Sequence, residues 1–167
     1  MIIENVFPFV LLTATLLSVL VAGFILVFAI VVMPGIGLLP DREFLRSFQV
    51  IDGVIQNNQP LFLVVWIGSA LTLTTAAILS FWVLEGRSFL IVVFAAVVYL
   101  TGVQLPTVTV NIPLNNQLQS LDLNAAEEAT CLKARETFEA RWNRWNMIRT
   151  VFALVVSVML LIVLRLP

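Results

Sequence analysis

An all-α fold, a transmembrane bundle of four helices with a short amphipathic interfacial helix between spans one and two, is what three features of this sequence predict. The first is composition: 60% of the residues are hydrophobic and only 11% are charged, with a mean hydropathy of +1.05. A soluble domain is nearer half apolar and a quarter charged, so lipid must be the solvent for much of this surface. The second is a set of four apolar runs long enough to cross a bilayer, near residues 6–34, 60–84, 89–110 and 146–165. The third is the helical spacing of Phe44, Phe48, Ile51 and Ile55 in the polar stretch between the first two runs. Residues 1–167 read as a single membrane domain, without internal repeats or a second unit.

Each element follows from local chemistry. The start, Met1-Ile-Ile-Glu-Asn, lacks the basic region of a secretory signal and leads into a run too long for a signal's apolar core, so it reads as the first span. Ala14, Ser18 and Ala22 recur every four residues there and would let another helix approach closely. Pro34, Gly35 and Gly37 end the span. Between Pro40 and Gln59, Arg42, Arg46, Gln49 and Gln56 lie opposite the apolar stripe, the pattern of a helix at the interface or capping the bundle. Trp66 and Trp82 lie toward the two ends of the second span, as interfacial anchors do. The short turn Glu85–Ser88 makes spans two and three antiparallel neighbours. The second half of span three is polar, with Thr101, Gln104, Thr107, Thr109 and Asn111, and Pro106 within it should kink the helix. Asn124 and Glu127 resemble a capping box that would open a charged helix running into span four.

Several function classes are disfavoured. A net charge of −1 gives no sign of a nucleic-acid partner. The absence of histidine removes the commonest haem, zinc, copper and non-haem iron sites, and most acids lie outside the spans; no metal and no cofactor are expected. A lone cysteine, Cys131, can form no internal disulfide. Basic residues divide seven to two: Arg42, Arg46, Lys133, Arg135, Arg141, Arg144 and Arg149 against Arg87 and Arg165. By the positive-inside rule this places the two larger loops in the cytoplasm of an integral, multi-pass membrane protein, with both termini outside.

The least lipid-like sequence beside a span is Arg141 to Arg149. Trp142, Asn146 and Arg149 fall at i, i+4 and i+7 and share a helix face. About 14 apolar residues follow Arg149, so its charge sits at or just inside the hydrocarbon edge and wants an acceptor or an anion. Span three ends where span four begins, which brings Asn111, Asn115 and Asn116 to the same end as Arg42, Arg46, Gln49 and Asp52. A pocket there would bind a planar or anionic ligand: Trp142 or Trp145 stacking, Arg149 neutralising, and Asn111, Asn115, Asn146 and Arg42 orienting. Taken singly, each residue has an ordinary structural role. Arg and Trp beside a span are usually anchors, and Asn after a span is usually a cap.

The pattern Asn-Ile-Pro-Leu-Asn (111–115), followed about 30 residues later by Trp-Asn-Arg-Trp-Asn-x-x-Arg (142–149), resembles the small four-helix membrane proteins of the anthrone-oxygenase-like family. The resemblance covers most of the chain and implies a four-helix membrane bundle. Many bacterial members have no assigned function, while fungal members are associated with oxygenation of anthrones to anthraquinones without metal or flavin. Asn111, Pro113, Asn115, Trp145, Asn146 and Arg149 match the family pattern by position; their roles are read from residue chemistry. A cofactor-free oxygenase needs a base and a group that stabilises the resulting carbanion or enolate. Asp52, flanked by apolar residues, is the candidate base, and Arg149 the candidate stabiliser. The expected partners are the lipid bilayer and a lipophilic aromatic or quinone-like small molecule. The alternative function is a non-catalytic accessory subunit packed against a larger membrane protein complex.

Overall fold

The computed structural model describes residues 2–166, which form five helices joined by short connections. They are α1 (Ile2–Ile36), α2 (Asp41–Gln56), α3 (Pro60–Val83), α4 (Gly86–Gln119) and α5 (Glu128–Val163). All but α2 are long and apolar enough to span a membrane. At most 44% of the most apolar window of any of these four helices is buried inside the protein. Phe9, Leu71, Phe81 and Phe94 are among the many large side chains that point outward. A surface of that kind is stable in lipid, where a helix satisfies its own backbone polar groups. The chain is a multi-pass membrane protein.

The helices close a ring. α1 packs on α3 and α5, α3 on the first half of α4, and α4 on α5. Ala14, Ser18 and Ala22 are all buried on α1, as the small-residue row requires. One core fills the bundle's middle around Leu11, Leu73, Val92, Tyr99 and Leu160. A second lies at the α2 end, around Phe28, Phe44, Phe48, Phe138 and Trp142. Gly102 of α4 leaves room for Phe152 of α5: a Cβ there would lie 2.6 Å from Cγ of Phe152.

α2 caps the bundle. Phe44 and Phe48 are buried beneath it, both edge-on to Phe138. Asp41 and Glu43 occupy its first turn, where acidic side chains favour the positive helix end. Asn58 adopts the left-handed region (φ 60°) that Asn tolerates, and Pro60 then opens α3 with Gln59 as its side-chain cap. The turn after α1 is held by Arg135 of α5, which donates to the carbonyls of Gly37 and Leu39.

Several boundaries differ from expectation. α4 does not stop near 110 but continues to Gln119, carrying the Asn111–Asn115 motif on helix. Pro106 is absorbed by two π-helical turns, Leu100–Gln104 before it and Thr107–Asn111 after it, which reroute the backbone bonds that its missing N–H would break. The charged helix is continuous with the fourth span but starts at Glu128, with no side-chain cap. Asn124 instead lies in the preceding turn and accepts from Arg46 at 2.7 Å, so tertiary contact outcompetes the local capping box.

A candidate ligand cavity at the capped end

At the α2 end the helices line a cavity of about 230 Å³. Its apolar wall is aromatic. Phe24 and Phe28 come from α1, Phe48 from α2, Phe62 and Trp66 from α3, and Trp142 from α5. Phe48 and Phe28 meet Trp142 at centroid distances of 5.3 and 5.8 Å, while Phe62 stacks on Trp66 at 5.4 Å. Such a wall suits a planar, lipophilic molecule. π-helical turns border the cavity on α1 (Phe28–Val32) and α4 (Thr107–Asn111), and Phe28, Thr107 and Asn111 all face into it. π turns recur at functional sites because they displace the helix face locally.

The polar lining falls into two groups. On one side, Arg149 is buried at 4% exposure. It donates to Oδ1 of Asn146 and to Oγ1 of Thr107, both at 2.9 Å. Asn146 in turn donates to the Ile25 carbonyl on α1. The guanidinium lies 5.9 Å from the Trp142 ring centroid. On the other side, Asp52 is buried at 3% exposure. It accepts from Asn115 at 2.7 Å, Gln119 at 2.9 Å and Gln56 at 3.0 Å. A carboxylate offers about four acceptor positions, so these three donors leave room for one more. The indole of Trp142 joins the groups by donating to Oδ1 of Asn115 at 2.8 Å.

Two buried atoms of this lining have no hydrogen-bond partner in the protein, Nε of Arg149 and Oδ1 of Asn111. Leaving a buried polar group unmade costs roughly 1–3 kcal/mol. One is an N–H donor with a full charge behind it, the other an amide acceptor. A ligand carrying an oxygen acceptor and a hydroxyl donor would satisfy both.

Of the residues expected at the site, Asp52, Asn111, Asn115, Trp142, Asn146 and Arg149 all line this cavity. Two do not. Trp145 is half-buried and packs against the second core on another face of α5. Arg42 turns toward the α4–α5 connection, where it bonds Glu128 and the carbonyls of Leu123 and Ala126. Its hydrogen bond to Glu128 holds its guanidinium above the ordinary arginine range. The acceptor that Arg149 needs is supplied by Asn146, one turn away on α5, and by Thr107 on the π turn of α4.

Residues that sequence reasoning passed over include Phe62, Trp66, Thr107 and Gln119. Trp66 reads as an anchor, yet it is half-buried and donates to Oε1 of Gln104 at 3.1 Å. The available signal was the i, i+4 aromatic pair Phe62 and Trp66 at the start of a span. Among the described residues, no group of three or more Cys, Asp or Glu side chains is placed to hold a metal ion.

Against known proteins, the family model described as anthrone oxygenase matches residues 60–159, which takes in the second, third and most of the fourth span with both sequence motifs. No curated protein and no solved structure matches the chain.

Proposed function

Because this chain belongs to the anthrone oxygenase family, we propose that the cavity binds a lipophilic aromatic ketone or phenol and that the protein oxygenates it without a cofactor. The observation that carries this reading is the pair of unpartnered buried atoms, Nε of Arg149 and Oδ1 of Asn111, on two residues that line an aromatic cavity. A subunit that only packs against a larger complex would need neither a buried arginine with an unused donor nor a cavity around it.

In this reading Asp52 takes a proton from the activated CH₂ of the substrate. Arg149 donates to the oxygen that becomes the enolate, where preorganised charge is most effective. The carbanion then attacks molecular oxygen, and the resulting hydroperoxide loses water to leave a second ketone. One O₂ is consumed and one H₂O released for each CH₂ converted to C=O. Trp142 and Phe48 hold the ring system, and Asn111 accepts from a neighbouring hydroxyl. We also assign both termini to the non-cytoplasmic side, from the seven-to-two division of basic residues.

The test is oxygen uptake by the purified protein supplied with anthrone in detergent, with the anthraquinone measured alongside. Turnover above the uncatalysed rate is expected. Asp52→Asn should lower it by about 100-fold or more, the scale of a positioned general base. Uptake equal to the protein-free control, across a series of phenolic aromatic ketones, would overturn the assignment.

A further inference from the structure

The cavity is closed toward the loops. Gln49 donates to the carbonyls of Leu118 and Leu121, Gln119 donates to the Gln49 carbonyl and to Asp52, and Gln56 donates to Asn116. These bonds tie α2 to the end of α4, with the phenylalanines of α2 packed beneath. A ligand arriving from water would have to break them.

The side between α3 and α4 is different. α3 packs on α4 along Gly86–Tyr99, and beyond that stretch α4 turns its contacts to α5 and α2. Among the described residues, two hydrogen bonds join α3 to α4: Ser69 with Tyr99, and Trp66 with Gln104. Both lie on the mid-membrane side of the cavity. Below them the facing residues are apolar, Phe62 and Leu63 on α3 and Ile112 on α4, and all three line the cavity. Ile112 is also 44% exposed. A residue that both lines a cavity and is that exposed stands at its mouth. Phe24 of α1 packs against Phe62, ring centroids 5.2 Å apart, on the α1–α3 side.

We propose that the cavity is loaded sideways from the bilayer through the seam between α3 and α4, with Phe62 and Ile112 as its jambs and the Trp66–Gln104 bond as its inner limit. The inference rests on the reading that the cavity takes a lipophilic molecule. Such a molecule partitions into lipid first, so an apolar side door spares it a return through water. The only polar groups it meets are those inside.

A thiol placed in the cavity tests the route independently of any ligand. In a Cys131→Ala background, Ile25→Cys introduces a thiol at a buried lining position. The protein is reconstituted in vesicles and exposed either to uncharged N-benzylmaleimide or to a charged, membrane-impermeant thiosulfonate. Modification by the uncharged reagent is expected. Its rate should rise about fivefold with Phe62→Ala and fall about fivefold with Ile112→Trp, as for a gated entrance, and stay unchanged with Gln49→Ala. The proposal is overturned if the charged reagent reacts as fast, if Gln49→Ala rather than Phe62→Ala sets the rate, or if neither reagent reacts. Ile55→Cys supplies a second lining position should Ile25→Cys fail to fold. Normal loading with no binding of aromatic ketones would sink the oxygenase reading and leave the route standing.

Discussion

Trp142 of α5 donates its indole N–H to Oδ1 of Asn115 on α4, at 2.8 Å. The same asparagine passes its own amide N–H to Asp52 on α2, at 2.7 Å. One short side chain thus fixes the stacking face, the candidate base and the capping helix relative to one another.

Asn115→Asp tests this arrangement. It keeps an acceptor for Trp142 but sets a second carboxylate against Asp52 where the amide donor was. We expect a loss of roughly 1–3 kcal/mol, the scale of a buried group left unpaired, read as a lower unfolding midpoint in detergent. Adding Asp52→Asn restores an amide–carboxylate pair with the roles exchanged, and should recover most of the stability but not turnover. Failure of the double variant to regain stability would show that the contact does not couple the two helices.

The fold makes a separate demand at Gly102. A methyl group there must displace the Phe152 ring, which lies within 3 Å of the Cβ position. Gly102→Ala should destabilise the bundle by about 1–3 kcal/mol, the usual cost of overpacking. Phe152→Leu in the same chain should relieve much of that cost. An unchanged midpoint for the single variant would mean that α4 and α5 approach less closely than described.

Arg42 and Trp145 lie outside the cavity, which separates structure from function. Arg42→Gln loosens the connection held by Leu123, Ala126 and Glu128 and should lower the unfolding midpoint modestly. Trp145→Phe should leave both stability and turnover near wild type. A loss of turnover in either variant without loss of stability would redraw the site.

The orientation of the chain can be read with introduced thiols. Cys131 is fully buried, so labelling it reports burial rather than sidedness. In a Cys131→Ser background, the exposed positions Glu85 and Ser120 lie on opposite sides of the membrane. Glu85→Cys should react with an impermeant reagent in intact cells, and Ser120→Cys only after permeabilisation. The reverse pattern would invert the topology.

Trp142, Asn146 and Arg149 were recognisable because a 3.6-residue period puts them on one face, and Asn111 and Asn115 because span three must end at the depth where span four begins. Trp142 and Trp145 are three residues apart, and no local pattern says which one faces inward; packing against Phe28 and Phe48 decides it. Arg42 reads as a ligand-binding residue, but its partners lie more than 80 residues along the chain, in a connection whose path sequence does not reveal. The π turns were invisible for a similar reason. They answer a tertiary need to carry the polar end of α4 past Pro106, and no propensity announces them.

The central claim is that Arg149 is buried to meet a ligand and not merely to tie α4 to α5. It is tested most directly by measuring anthrone binding and thermal stability side by side for wild type and Arg149→Gln, both in detergent. Glutamine can still reach one of Thr107 and Asn146, so the account predicts an unfolding midpoint close to wild type. Binding should weaken by about 10-fold or more, as expected when a charge-assisted hydrogen bond worth roughly 1.5–3 kcal/mol is lost. A sharp fall in the midpoint, together with no anthrone binding by the wild type, would contradict the account and leave Arg149 as a structural tie between two helices.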